Sequence, residues 1–322
     1  MNTWFLRLAR IATVLAFLVV TVGAWVRLTD AGLGCPDWPG CYGQLIVSED
    51  IDASVEAAFG GRQLDAGKAW HEMIHRYLAS LLGVLCVALA VIGWINRHAP
   101  GQAWRVPLML LGLVIFQGLL GMWTVTLLLK PIIVVAHLLG GISTLGLLFW
   151  LSRTQVRPLA LTARQRGLAL AAAAAVVAQI ALGGWTSANY AALACPDFPT
   201  CQTQWWPQIA DFGEGFVLWR GLGVDYEGGV LDHPARVAIH FVHRLGAIIA
   251  AMLAVTLGWL LLKHGQARAE GGAIFFALIL QIGLGISIIL FGVPLSLAVA
   301  HNGVAALLLL TVINAHQRIW QR

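Results

Sequence analysis

Apolar residues in this chain are gathered in eight long, nearly uncharged runs separated by polar segments. A helical run of about 20 residues, rising ~1.5 Å per residue, spans the ~30 Å hydrocarbon core of a bilayer. The every-second-residue alternation typical of outer-membrane barrels is missing from these runs. We therefore predict an all-α polytopic membrane protein with eight transmembrane helices, at residues 8–26, 74–95, 106–128, 132–151, 167–185, 240–262, 272–291 and 295–316.

Composition supports this class and gives the helices an orientation. Of the 322 residues, 59% are hydrophobic and 11% are charged, whereas soluble domains carry roughly 25% charged residues. The net charge of +5 could indicate nucleic-acid binding, but the chain has no basic stripe or zinc-finger spacing, so we expect no nucleic-acid partner. Twelve of the 20 basic residues fall on the face that holds both termini. Since basic residues favour cytoplasmic loops, we expect cytoplasmic termini and long outer loops at 28–72 and 186–238.

The sequence also repeats itself, with an offset of 160 to 168 residues between its two halves. Each half contains four spans, so the halves have the same orientation. We therefore expect two pseudo-symmetric four-helix bundles related by a parallel repeat, at residues 1–155 and 156–322. Five matches keep the same order in both halves: Trp25 with Trp185, Cys35–Cys41 with Cys195–Cys201, His75-Arg76 with His243-Arg244, Gln117–Gly121 with Gln281–Gly285, and Ala136-His137 with Ala300-His301.

The outer loops carry two C-x5-C pairs, Cys35/Cys41 and Cys195/Cys201. Outside the cytoplasm disulfides are stable, and the Pro-Asp-aromatic-Pro segment inside each pair favours a turn. Two disulfides are the direct interpretation, and a purely structural staple fits the second pair best. A metal site is the rival, although C-x5-C is not a usual zinc spacing. Cys86 lies within a span and is expected to be an inert packing residue.

Four of the ten histidines occupy similar positions in the even-numbered spans, about five residues or roughly 8 Å inside the outer end. A single histidine in a span is often a hydrogen-bonded packing residue. Two at one depth in each half instead suggest an axial imidazole pair for a haem iron, so the repeat predicts two haem sites. His71 and His240 lie one turn further out and could contact propionates, support the site or be interfacial. The four candidate ligands are His75, His137, His243 and His301.

Glu72 distinguishes the first half from the second. It precedes His75 by three residues and so shares its helical face, whereas the equivalent position in the second half is His240. A carboxylate beside a haem can act as an acid or base, or stabilise a developing cation. A solvated carboxylate near a helix N-terminus is an equally good interpretation of its position.

Together these residues resemble the haem A synthase family, which converts haem O to haem A for cytochrome oxidase. The resemblance covers nearly the whole chain, and its specificity lies in the combination of motifs rather than in any one of them. It rests on eight spans in two halves, both cysteine pairs, Glu72-Met73-Ile74-His75-Arg76, His137, His243-Arg244 and His301.

The resemblance implies an oxidoreductase of the bacterial cytoplasmic membrane. The C8 methyl of haem O would be oxidised to a formyl group by successive hydroxylations. His75 and His137 in the first half would bind the haem O substrate, and His243 and His301 in the second would bind the iron of a haem b cofactor. Glu72 would lie beside the reacting methyl. Cys35 and Cys41 would be the redox-active pair, and Cys195 and Cys201 a structural disulfide.

The family resemblance also suggests partners, and two other classes of function stay open. Haem O synthase, cytochrome oxidase assembly factors, membrane lipid and a second copy of the chain could all be partners. A bis-haem cytochrome that exchanges electrons with quinone would share the four histidines without needing Glu72. A repeat-built transporter would bind no haem.

Overall fold

The computed structural model describes residues 3–48, 51–153 and 156–320. Eight of its helices are long and apolar enough to cross a membrane, which confirms the predicted number and the all-helical class. The expected boundary between the halves falls at one gap, so residue 155 lies outside the described residues. In chain order the helices are α1 (Thr3–Leu28), α2 (Ala53–Ala58), α3 (Ala66–Ile95), α4 (Arg105–Thr126), α5 (Pro131–Ser152), α6 (Ala163–Ala188), α7 (Phe212–Gly215), α8 (His233–Lys263), α9 (Arg268–Leu290) and α10 (Leu295–Trp320).

Most of the long helices begin earlier than the apolar pattern predicts, and the difference is largest, seven or eight residues, for two of them. Helix α3 begins at Ala66 rather than at residue 74, and α8 begins at His233 rather than at residue 240. Aspartates cap both starts, because the Asp65 carboxylate accepts the Lys68 amide and the Asp232 carboxylate accepts the Ala235 amide. These polar first turns extend the helices towards the outer loops.

Small side chains line the buried face of the first helix of each half. On α1, Ala9 and Ala12 are fully buried, and on α6 the residues 160 positions later, Ala169 and Ala172, are also fully buried. Small residues let helix backbones approach closely, which is how helices associate in a membrane where burial of apolar surface gives little driving force. Large apolar side chains such as Val84 on α3 are exposed instead, as lipid-facing residues are.

The structure divides into two compact units. The first contains Met1–Leu145, Ser187–Asn189 and Val217–Val230, and the second contains Gly146–Thr186, Tyr190–Phe216 and Leu231–Arg322. Within the first unit, buried Tyr226 packs with Leu33. The ammonium of Lys130, also buried, donates to the Gly221 carbonyl oxygen at 3.0 Å.

Candidate functional site

Both cysteine pairs form disulfides. The Cα atoms of Cys35 and Cys41 lie 4.8 Å apart, and those of Cys195 and Cys201 lie 4.6 Å apart. The predicted disulfides are therefore confirmed, and no thiol of either pair is left to bind a metal. Cys86 is free and buried on α3, as expected of a packing residue.

The first disulfide loop lies against the N-terminal part of α3, where it contacts Glu72. The side chain of Glu72 is buried, and its Oε2 accepts the backbone N–H of Cys35 at 2.9 Å. Its Oε1 accepts a guanidinium N–H of Arg76 at 2.5 Å. Glu72 is thus a buried carboxylate with charged and backbone donors, not the solvated helix-end carboxylate that position alone also allowed.

The second disulfide loop is held in the same way, but by an imidazole. The Cys195 backbone nitrogen lies 3.2 Å from Nδ1 of buried His240, and Arg244 Nε lies 3.3 Å from His240 Nε2; the imidazole accepts a hydrogen bond at only one of these two nitrogens. Arg244 also donates to the Thr200 and Cys195 carbonyl oxygens. His240 is therefore a partner of the cysteine loop, and the two halves differ here in one charged group.

Asp197 folds the second loop from within. Burial alone would raise the pKa of its carboxyl, but hydrogen bonds from the Thr200 hydroxyl and from the Thr203 and Gln202 amides outweigh it and lower the pKa. The corresponding Asp37 in the first loop accepts the Tyr42 amide at 2.6 Å. An aspartate inside each C-x5-C segment therefore organises the turn that brings its cysteines together.

In the first unit, two of the predicted ligands face each other. The ring centroids of His75 on α3 and His137 on α5 are 6.5 Å apart, with an interplanar angle of 82°. Two imidazoles that bind one metal ion at ~2 Å have ring centres roughly 6 Å apart, so this separation suits an axial pair.

A glycine on a neighbouring helix makes room for each of the four histidines. A Cβ atom on Gly23 of α1 would lie 2.9 Å from His75 Cε1, and one on Gly285 of α9 would lie 3.1 Å from His301 Cε1. Only a residue without a side chain allows these rings their observed positions. The remaining two pairs have slightly longer distances to Cε1, 3.5 Å for Gly121 with His137 and 3.3 Å for Gly183 with His243.

Glutamines one helical turn from three of these glycines also contact the histidines. Gln117 Nε2 donates to the His137 carbonyl oxygen at 2.9 Å. In the second unit, Gln179 Nε2 lies 3.0 Å from His243 Nδ1, and Gln281 Nε2 lies 3.1 Å from His301 Nε2. Sequence reasoning gave these residues no role, although the Gln-x3-Gly spacing at 117/121, 179/183 and 281/285 was visible.

The histidines fit a haem better than they fit simple packing. Among the residues that the structure describes, Nδ1 of His75, His137 and His301 is buried without a hydrogen-bond partner, whereas a packing histidine in a protein interior is normally satisfied. All four side chains are only half-buried. Within the described ranges no group of three or more His, Cys, Asp or Glu could hold a metal ion, but a haem iron needs only axial ligands from the protein.

Of the other outer-end histidines, His71 has a different environment. Its ring lies 3.9 Å from that of Trp25, centroid to centroid, and its Nδ1 is 3.4 Å from the Thr29 hydroxyl. It therefore packs against α1 beside the Glu72 region rather than in the histidine pair.

Comparison with known proteins places this arrangement in a family. Residues 6–313 match the family described as cytochrome oxidase assembly protein, COX15-CtaA. The chain belongs to this family. It is 43% identical to the haem A synthase of Shewanella oneidensis, over 99% of this chain and 97% of that protein. It is 30% identical to the haem A synthase of Rhizorhabdus wittichii, over 97% and 92% of the two chains, and 28% identical to that of Halalkalibacterium halodurans, over 92% and 90%.

Family membership gives these separate features a common interpretation. The relatives are named haem A synthase, and the separation of the His75 and His137 rings in this chain suits a bound haem. The buried carboxylate of the first half is the feature that a pair of plain electron-transfer haems would not need.

Proposed function

We propose that this protein is a haem A synthase that oxidises the C8 methyl of haem O to a formyl group by successive hydroxylations. Its 43% identity to a haem A synthase over nearly the whole of both chains supports the reaction. The observation that carries the assignment within the molecule is buried Glu72, one helical turn before His75, whose ring faces that of His137. The second half has His240 at the corresponding position.

In this proposal the first half is the catalytic half. His75 and His137 hold the substrate haem O by its iron, so the edge of the ring is fixed relative to α3 and α5. Glu72 stabilises positive charge that develops at the methyl carbon and moves protons as water adds. Its two oxygens are already held by the Cys35 amide and Arg76, so the carboxylate does not have to reorganise during the reaction.

The second half holds the cofactor. His243 and His301 are the proposed ligands of the haem b iron, and the Gln179 and Gln281 amides contact those imidazoles. When bound, haem b supplies one-electron redox chemistry. The protein's contribution is to hold the two imidazole rings in place, with the Gln179 and Gln281 side chains beside them.

The remaining assignments complete the proposal. The Cys35–Cys41 disulfide is the redox-active pair, and Cys195–Cys201 is structural. The chain lies in the bacterial cytoplasmic membrane with both termini inside and both cysteine loops outside. Haem O is the substrate, and haem O synthase and cytochrome oxidase assembly factors are the proposed protein partners.

Haem extraction from cells that co-express the protein with a source of haem O tests this function. We expect haem A from the natural chain. In Glu72→Gln we expect haem A formation to fall on the order of 10²–10³-fold, because one preorganised electrostatic contact is lost, while bound haem b is unchanged. Glu56→Gln is the matched control, since Glu56 only accepts the Leu64 amide in the outer loop.

Two results would contradict the proposal. Bound haem without any haem A from the natural chain would indicate an electron-transfer cytochrome. Normal turnover in Glu72→Gln would remove this carboxylate from catalysis.

A further inference from the structure

Arg76 connects the buried carboxylate of the first half to the whole of the disulfide loop. One guanidinium nitrogen, Nη1, lies 2.9, 3.2 and 2.5 Å from the carbonyl oxygens of Asp37, Pro39 and Gly40, which share its two N–H groups. The other, Nη2, donates to Glu72 Oε1 at 2.5 Å. The side chain is 11% exposed, so these contacts are sheltered from competing water.

These carbonyl oxygens converge on one guanidinium because the loop is closed. The three residues all lie between Cys35 and Cys41, which the disulfide holds 4.8 Å apart. The loop also donates directly to the carboxylate, through the Cys35 N–H and Glu72 Oε2. Each oxygen of Glu72 is therefore held by the loop, one directly and one through Arg76.

In the second half an arginine binds the cysteine loop in a similar way without a carboxylate beside it. Arg244 binds the Cys195 and Thr200 carbonyl oxygens and contacts His240 in the place of Glu72. Both halves thus have an arginine that binds the carbonyl oxygens of a closed cysteine loop. Only the other partner of that arginine differs, Glu72 in the first half and His240 in the second.

We propose that Arg76 is a positioning residue that holds Glu72 in a single orientation only while the Cys35–Cys41 disulfide closes the loop. A planar guanidinium offers five N–H donors in a rigid fork, whereas an ammonium offers three on a flexible stem. When the disulfide opens, the carbonyl oxygens separate, Arg76 loses its acceptors and the buried carboxylate loses its fixed donors. The catalytic meaning of this coupling rests on the proposed function, but the coupling itself does not.

A simple dithiol supplies the electrons and protons needed to reduce the Cys35–Cys41 disulfide. Dithiothreitol transfers two electrons and two protons, the S–S bond between Cys35 and Cys41 breaks, two thiols form, and dithiothreitol becomes its cyclic disulfide. The Glu72–Arg76 contact is one of the interactions that hold the closed loop, so we expect its loss to make this disulfide easier to open.

Timed reduction with limiting dithiothreitol, followed by alkylation and mass spectrometry of the purified full chain, measures this directly. We expect Arg76→Gln and Glu72→Gln each to speed the opening of Cys35–Cys41 by on the order of tenfold, a size typical of coupled neighbours. The double variant should add little to either single variant. In all three, the Cys195–Cys201 rate is the internal control for folding and should stay unchanged. Arg244→Gln is the matched variant and should speed only Cys195–Cys201.

An infrared difference spectrum between the oxidised and reduced protein supplies a readout that does not depend on turnover. We expect reduction to shift a carboxylate band that is absent in Glu72→Gln and that no longer shifts when Cys35 and Cys41 are both replaced by alanine. Arg76→Lys should keep only part of the shift.

The outcomes separate a positioning role from a merely structural one. If Arg76 only anchors the loop, Glu72→Gln will leave the Cys35–Cys41 rate unchanged and the spectrum will lack the shift, which overturns the proposal. If Arg76→Gln also speeds the opening of Cys195–Cys201, the substitution has disturbed the fold. The Cys35–Cys41 opening rate in Glu72→Gln and the infrared spectrum then decide between the two roles of Arg76. Positive results here alongside failure to make haem A would reject the proposed function and leave the coupling standing.

Discussion

At the scale of single residues, the histidines were predictable and their glycine partners were not. His75, His137, His243 and His301 are detectable because an ionisable residue in an apolar run is costly and therefore conspicuous. Glycine is common in membrane helices, so the contacts of Gly23 and Gly183 with histidine rings cannot be predicted until the position of the neighbouring helix is known. The same is true of Glu72, whose burial against the Cys35 amide depends on a contact between residues 37 positions apart.

Alanine substitutions at two of these glycines should affect the two proposed haem sites separately. The methyl group in Gly23→Ala would lie 2.9 Å from His75 Cε1, and that in Gly183→Ala would lie 3.3 Å from His243 Cε1. We expect Gly23→Ala to lower haem A formation by on the order of tenfold or more, since small misplacements are costly in catalysis, with haem b retained. Gly183→Ala should lower the retained haem b, measured by haem extraction.

Gly112→Ala on α4 is the control for both variants. A Cβ atom there meets nothing within 4 Å, so haem binding and turnover should stay at the level of the natural chain. Equal loss of haem b in Gly23→Ala and Gly183→Ala would show that the glycines do not serve separate sites.

At the scale of elements, the apolar runs predict which segments cross the membrane but not where the helices end. The hydrocarbon core determines the apolar length, whereas α3 and α8 continue beyond it as polar turns that begin at the caps Asp65 and Asp232. The capping aspartates were visible in the sequence. The earlier helix starts were not predictable, because a polar helical turn outside the membrane does not lengthen the apolar run.

The orientation of these elements can be tested with reporters inserted in two loops. The excess of basic residues on the terminal face predicts that the loop containing Ser54 is outside and that the α8–α9 connection at His264 is cytoplasmic. Alkaline phosphatase should be active at Ser54 and inactive at His264. Activity only at His264 would show that the chain has the opposite orientation. Both cysteine loops would then lie in a reducing compartment, where their disulfides would not persist.

At the scale of the whole molecule, the repeat in the sequence predicts two similar halves, and the two disulfide loops show how similar they are. Arg76 and Arg244 each clamp a closed C-x5-C loop. What the sequence does not predict is the grouping of Val217–Val230 with the first compact unit. That grouping comes from side-chain packing of Tyr226 and Lys130, which have no periodic signature.

The division of labour between the halves is the central claim, and haem analysis of the four single histidine-to-alanine variants tests it most directly. Each purified variant is extracted, and its haem b, haem O and haem A are separated after co-expression with a haem O source. We predict that His243→Ala and His301→Ala lose bound haem b, while His75→Ala and His137→Ala retain haem b and form no haem A. Equal loss of the same haem in all four variants, or haem A formation in His75→Ala, would contradict the account.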